Sequence, residues 1–155
     1  MAKKQKKSSP GVVVNRRARF DYALGDELVV GIVLTGPEVR AARDGHLQLK
    51  GSFVSLRNGE LWLNNASFSL PGTTGAHERT IDTSPRKLLA SRRQIDALDK
   101  EKQTGLTIVP LKLLIAGRFI KVVIALGKGK KRYDKRETLK RRDESRDVAR
   151  ALKNR

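Results

Sequence analysis

Apolar residues in this chain come mostly in short β-branched runs. Val12 to Val14 and Leu28 to Leu34, the latter with three valines and an isoleucine, have the length and composition of strands. Gly36 and Pro37 end the second run, and Glu38 to Arg43 has room for one or two helical turns before Gly45 stops it. His46 to Leu56 and Glu60 to Leu70 flank Asn58-Gly59, a pair that accepts positive φ at both turn positions, so a hairpin is predicted there. In its second arm Leu61, Leu63, Phe68 and Leu70 keep a rough two-residue alternation, interrupted at Asn64 and Asn65, which leaves one face wet. Pro71, Gly72, Thr73, Thr74 and Gly75 mark a loop, followed by a weakly patterned, exposed stretch to Thr83.

A helix is predicted next. Ser84 before Pro85 reads as its start, Ser91 with Gln94 has capping-box spacing, Leu88, Leu89, Ile95 and Leu98 make an apolar stripe, and Gly105 is the stop. Leu106 to Ile115 and Arg118 to Leu126 form a second hairpin around Ala116-Gly117, with Pro110 demanding an edge position or a bulge. From Lys128 onward the apolar spacing is lost, Leu139, Val148 and Leu152 being the main large aliphatics. Glu137 with Arg141 and Asp147 with Arg150 favour helix by only about 0.2–0.5 kcal/mol per pair. Residues 128–155 are therefore expected to be a tail that is disordered when free and helical on a partner. Residues 1–11, rich in lysine with Ser8, Ser9, Pro10 and Gly11, form a flexible basic arm. Between them, 12–127 reads as one domain, mainly β: an OB-like antiparallel barrel of about six strands with two or three short helices.

Charge changes the picture from fold to partner. The chain of 155 residues carries a formal +18 and is 38% hydrophobic, enough for one core. The excess sits at the ends: residues 1–19 carry +7, residues 20–127 only +3, and residues 128–155 +8. That distribution points to a polyanion, nucleic acid first. The aromatic fraction of 5% is thin for base-stacking platforms, Trp62 included, so recognition of a folded RNA by shape and phosphate contact fits better. Arg16, Arg17 and Arg19 are read as lying along one strand, with Arg17 and Arg19 sharing a face as a phosphate clamp; a solvated edge is the alternative. Gly127, Lys128, Gly129, Lys130 and Lys131 lack P-loop spacing but can grip phosphates with amides and lysines.

No catalytic constellation can be assembled, so an enzyme is not expected. His46 and His77 lie in no metal-ligand spacing, and Asp26-Glu27 and Asp143-Glu144 are solvated or paired charges. Cysteine is absent, which excludes disulfides and thiolate metal sites. The lysines of residues 1–7 precede Ser8 to Gly11 where a signal peptide would need an apolar run, and no stretch is long and apolar enough to span a membrane. A cytoplasmic monomer without cofactor, metal or membrane contact is expected.

Particular residues then resemble a known family. Asn15-Arg16-Arg17-Ala18-Arg19, Tyr22, Gly31-Ile32-Val33-Leu34, Gly36, Glu38-Val39 and Arg43 look like the opening signature of SsrA-binding proteins (small protein B). The match continues in order through Asn58-Gly59-Glu60, Arg86-Lys87-Leu88-Leu89 and Val109-Pro110-Leu111, and closes with Lys128-Gly129-Lys130-Lys131 and Tyr133-Asp134-Lys135-Arg136-Glu137-Thr138. The chain departs from the family's usual residues at Phe20, Val29, Ala42 and Glu144. The resemblance implies a barrel that binds the tRNA-like domain of transfer-messenger RNA and delivers it to stalled bacterial ribosomes for trans-translation. It also implies a tail that folds in the messenger channel of the small subunit. It puts RNA contact on Asn15, Arg16, Arg17, Arg19, Leu89, Lys121, Lys128, Lys130 and Lys131, and ribosome contact on Tyr133, Asp134, Lys135 and Arg136. By pattern alone Leu89 is equally a helix-core residue, and a structural ribosomal protein of barrel type with basic extensions would share the composition.

Overall fold

The computed structural model describes residues 11–72 and 78–154. Residues 1–10 of the basic arm expected over 1–11, the loop residues Thr73 to Gly75, and His77 lie outside the described residues. In chain order the elements are β1 (Val12–Val14), α1 (Ala18–Asp21), β2 (Tyr22–Ile32), α2 (Gly36–Arg43), β3 (Leu47–Gln48), β4 (Phe53–Arg57), β5 (Glu60–Asn64), β6 (Ser67–Pro71), β7 (Arg79–Asp82), β8 (Arg86–Leu89), α3 (Arg92–Lys102), β9 (Thr107–Leu114), β10 (Lys121–Gly129) and α4 (Arg132–Lys153).

Six of these strands, in the order β9-β10-β2-β8-β5-β4, are antiparallel neighbours, and β4 returns to β9 through Val54 opposite Ile108. The ring so closed leaves no long unpaired edge among those six; β1 adds to the outside of β9, and β3, β6 and β7 make a separate three-stranded sheet. Alternation explains the two faces of β5: Leu61 and Leu63 are fully buried, whereas Trp62 between them is only half-buried. With Val30, Leu88, Ile108, Leu113, Val122 and Ile124 they fill the ring, each contributing about 1.5–3 kcal/mol of transfer free energy. Helix α3 presses Ile95 and Leu98 into this core. A second, smaller apolar cluster of Val109, Leu111, Val123 and Ala125 lies apart from it and is covered by Ala18 of α1 and Tyr22.

Both predicted hairpins form. Asn58 and Gly59 adopt φ of 50° and 73° in the turn between β4 and β5. The arms are shorter than the sequence runs: β5 stops at Asn64, and Asn65, at φ 60°, sends the chain into the other sheet. Pro110 sits at a bulge, where the pairing of β9 with β10 slips from Lys112 opposite Val123 to Pro110 opposite Ile124.

Two expectations are corrected. The helix does not start at Ser84-Pro85: Arg86–Leu89 is a strand, with Leu61 opposite Leu88 and Leu63 opposite Arg86, and Ser84 instead donates its backbone N–H to Asp82 Oδ1 at 2.8 Å. Pairing with the core strand overrides the local cap signal there, and the helix begins at Arg92 behind Ser91, whose amide and hydroxyl exchange hydrogen bonds with Gln94. Arg17 and Arg19 do not lie along a strand, because β1 ends at Val14 and the chain turns through α1. The weakly patterned stretch before Thr83 is exposed over Glu78 to Ile81, as expected, and contains β7, paired with β6 from Phe68 opposite Asp82 to Pro71 opposite Arg79.

Candidate nucleic-acid interface

The turn that carries the arginines is built on the β9 bulge. Asn15, 6% exposed, accepts nothing at Oδ1 among the described residues, but its Nδ2 donates to Pro110 O at 2.9 Å and its backbone N–H to Leu111 O at 2.7 Å. The backbone bond continues the β1–β9 register by one residue, and the side chain reaches the next carbonyl along β9, so one residue pins the turn to the bulged strand. Ala18 buries itself behind this pin, and Arg16, Arg17 and Arg19 are left exposed around it. Arg17 Nε donates to Asp21 Oδ2 at 3.3 Å, and Arg19 pairs with Glu27 Oε1 at 3.5 Å, a carboxylate also reached by Lys112 at 3.9 Å. Arg16 enters none of the ion pairs formed among the described residues.

The end of β10 meets this turn from the other side. Lys128 is exposed opposite Ala23, and Lys130 extends its ammonium to Arg19 O at 3.2 Å and Thr138 Oγ1 at 3.4 Å. Lys130 therefore ties α1 to α4 rather than standing free. Lys131 caps α4, its backbone N–H donating to Asp134 Oδ2 at 3.3 Å. A carboxylate at that helix N-terminus also meets the positive end of the peptide dipoles. Tyr133 and Arg136 are exposed, and Lys135 pairs with Asp21 at 3.2 Å.

Helix α4 buries no residue. Its first turns lean on α1 through Lys135, paired with Asp21, and on Lys130 through Thr138. Leu139 and Arg142 then line, with Phe20, Leu47 and Arg16, a groove of about 550 Å³. From residue 143 to its end every residue is exposed. Within α4, exposed intrahelical pairs such as Glu137–Arg141 at 2.7 Å join successive turns.

Leu89 and Lys121 belong to a second group. Gly31 of β2 lies between them, opposite Lys121 on one side and Leu89 on the other. A Cβ on Gly31 would sit 3.2 Å from Leu89 Cβ, so glycine gives Leu89 its place on the sheet. Leu89 is 52% exposed, which removes its reading as helix core. Along β10, Lys121 and Lys128 are roughly 23 Å apart at strand rise. The predicted residues thus form two patches at opposite ends of one strand, one around Asn15–Asp21 and the root of α4, the other around Leu89 and Lys121.

Arg86, quoted in the sequence only as part of a motif, turns out to be the most connected cation. It is 4% exposed, donates to Glu38 Oε1 from Nε at 3.2 Å and Nη2 at 2.9 Å, reaches Ala66 O and Ser84 O, and lies 4.2 Å over the Phe68 ring. Glu38 in turn accepts from the Thr35 N–H at 2.9 Å, capping α2. Hydrogen bonds from Ser84 hold the Asp82 carboxyl below its usual value, with Arg86 helping and burial opposing. Only the alternation of Arg86 and Leu88 with Lys87 and Leu89 could have signalled a buried arginine, and the preceding Ser84-Pro85 obscured it. Among the described residues no His, Asp or Glu group is arranged to hold a metal ion, and no helix is long and apolar enough to cross a membrane.

Comparison with known proteins places these features in a family. The model of the SmpB protein family matches residues 12–154. An SsrA-binding protein of Shouchella clausii is 48% identical over 147 residues, covering 93% of this chain and 92% of its own. One of Lactococcus lactis subsp. lactis is 44% identical over 140 residues, covering 90% of each. A solved structure described as "tmRNA-SmpB: a journey to the center of the bacterial ribosome" superposes with a TM-score of 0.64 at 36% identity, over 84% of this chain and 95% of that one. Matches of this identity across nearly the full length mean that the chain belongs to the SsrA-binding protein (SmpB) family.

Proposed function

We propose that the chain binds the tRNA-like domain of transfer-messenger RNA and delivers it to stalled ribosomes for trans-translation, acting in the cytoplasm as an RNA-binding partner without bond chemistry of its own. The observation that carries this reading is the meeting of the chain's two basic ends. Arg16, Arg17 and Arg19 from the start and Lys128, Lys131 and Lys135 from the finish surround one end of a barrel whose own residues are nearly neutral. A folded RNA spanning the two patches would meet phosphate-binding cations at that end and the Leu89, Gly31 and Lys121 surface at the other. In this division of labour residues 12–127, joined by Lys128, Lys130 and Lys131, hold the RNA, and the rest of 128–155, with Tyr133, Asp134, Lys135 and Arg136 at its root, reaches the decoding region and messenger channel of the small subunit. The relatives' name and the neighbour's description, with its tmRNA and ribosome, support the same partners.

The test is binding of the purified protein to the tRNA-like domain against an ordinary tRNA at two salt concentrations. A docking surface that reads shape keeps its preference when the phosphate contribution is weakened. Loss of the preference, with only salt-sensitive affinity left, would replace this reading by that of a ribosomal protein with basic extensions.

A further inference from the structure

We infer that Phe119, at the tip of the β9–β10 hairpin, is a stacking platform for one unpaired base of the bound RNA, flanked by Arg118, Arg43 and Lys121 as phosphate contacts. The inference rests on the proposed RNA partner and adds to it a residue and a mode of contact. At 71% exposure Phe119 is the most exposed large apolar side chain among the described residues. Its neighbours anchor the tip while it points away: Ile115 and Ile120 are both buried in the barrel core. Arg43 of α2 crosses to the tip, with Nη2 at 3.4 Å from Gly117 O and 3.5 Å from Arg118 O, and the Arg118 guanidinium lies 5.5 Å from the centroid of the Phe119 ring. The ring is held out on a braced turn.

Three features select a nucleobase as the occupant. Arg43, Arg118 and Lys121 enter none of the ion pairs formed among the described residues, so the ring stands in a cationic setting with no carboxylate of those residues on the three cations. One ring is too little apolar area for a protein interface core, whereas it matches the face of a base. The tip is also continuous with the candidate RNA surface: Lys121 follows Phe119 by two residues and stands opposite Gly31, which stands opposite Leu89. A base on Phe119 would place its flanking phosphates among guanidinium and ammonium groups.

The experiment measures affinity for the tRNA-like domain at two salt concentrations with wild type, F119A, F119L, F119W and R118Q. Stacking is uncharged, so F119A is expected to lose about tenfold at both salts with an unchanged salt slope. F119L should be as weak as F119A, and F119W should bind like wild type and show fluorescence quenching by RNA beyond that of Trp62 alone. R118Q should lower the salt slope. Wild-type affinity in F119A, or full affinity in F119L, would overturn the inference; so would a loss confined to ribosome binding, which would assign the tip to a ribosomal protein instead. The preference of wild type for the tRNA-like domain over tRNA reads the parent proposal, and the F119A ratio reads this one, so each can fail alone.

Discussion

Asn15 illustrates how a residue expected to touch RNA can work from inside the fold. Its side-chain amide fills the Pro110 carbonyl of the bulge, and its exposure is too low for a broad contact with RNA. Asn15→Ala loses that bond but also deletes the unpartnered Oδ1, so its net cost is expected to be about 1 kcal/mol by urea unfolding. RNA affinity should fall with it, because the Arg16–Arg19 turn loses its pin. The Arg86–Glu38 pair is a larger commitment: Arg86→Met leaves the Glu38 carboxylate buried opposite an apolar chain and should cost about 3–5 kcal/mol. The double variant with Glu38→Gln should recover part of that loss, and a cycle without coupling would refute the pairing. Asp82 supplies a pH signature. Its carboxyl is held below the ordinary 3.8, so its stabilising contribution is complete above that value and is lost as pH falls through the lower folded pKa. Asp82→Asn should therefore flatten the acid limb of the stability curve and leave its shape near neutrality unchanged. An acid limb identical to that of wild type would remove Asp82 from the account.

At the scale of elements, α4 is 22 residues long and buries none of them, so its helicity rests on capping by Asp134 and on exposed pairs. Exposed pairs of this kind contribute little, and the tail adds almost nothing to the barrel core. A chain ending at Tyr133 is expected to unfold in urea within about 0.5 kcal/mol of the full chain while losing much of its far-UV helical signal. A stability loss above about 1.5 kcal/mol would mean that α4 docks through the groove at Phe20 and Leu139. Such elements were legible in the sequence to the extent that their signals are local. The Asn58-Gly59 turn, the Ser91–Gln94 box, the Pro110 bulge and the missing apolar stripe of the tail depend only on neighbouring residues, and each is present. What could not be read depends on pairing across the chain. Strand β8 carries a helix-like start but is held by β2 and β5, and β7 has little apolar pattern because its partner β6 supplies its order. The site followed the same division: the arginine cluster was visible as composition, whereas its position on a turn rather than a strand follows from the long-range bonds of Asn15 to β9.

For the whole molecule, the decisive property is that two basic segments far apart in sequence emerge at one end of a closed barrel, while only one of them continues as an undocked helix. Residues 134–155 carry nine basic and five acidic side chains, so their net charge is +4 of the total +18. Several of those acids are already paired within the helix, Glu137 with Arg141 and Glu144 with Lys140 among them. Removing the tail therefore takes away length and a folded rod of about 30 Å rather than most of the cationic field. On the proposed function, a chain ending at Tyr133 should bind the tRNA-like domain within about threefold of the full chain, a difference of under about 1 kcal/mol. The same truncation should abolish tagging of stalled chains in a reconstituted translation system, because nothing would then reach along the messenger channel. The reciprocal variant, Arg16→Gln with Lys128→Gln, should leave α4 intact but lower RNA affinity, and flatten its log–log salt dependence by about 0.7–0.9 per lost phosphate contact. Tagging should fall only as far as RNA occupancy falls, and excess RNA should restore it. If the truncated chain loses RNA affinity in step with tagging, the tail is part of the RNA-binding surface, and the division between a holding barrel and a reaching helix is wrong.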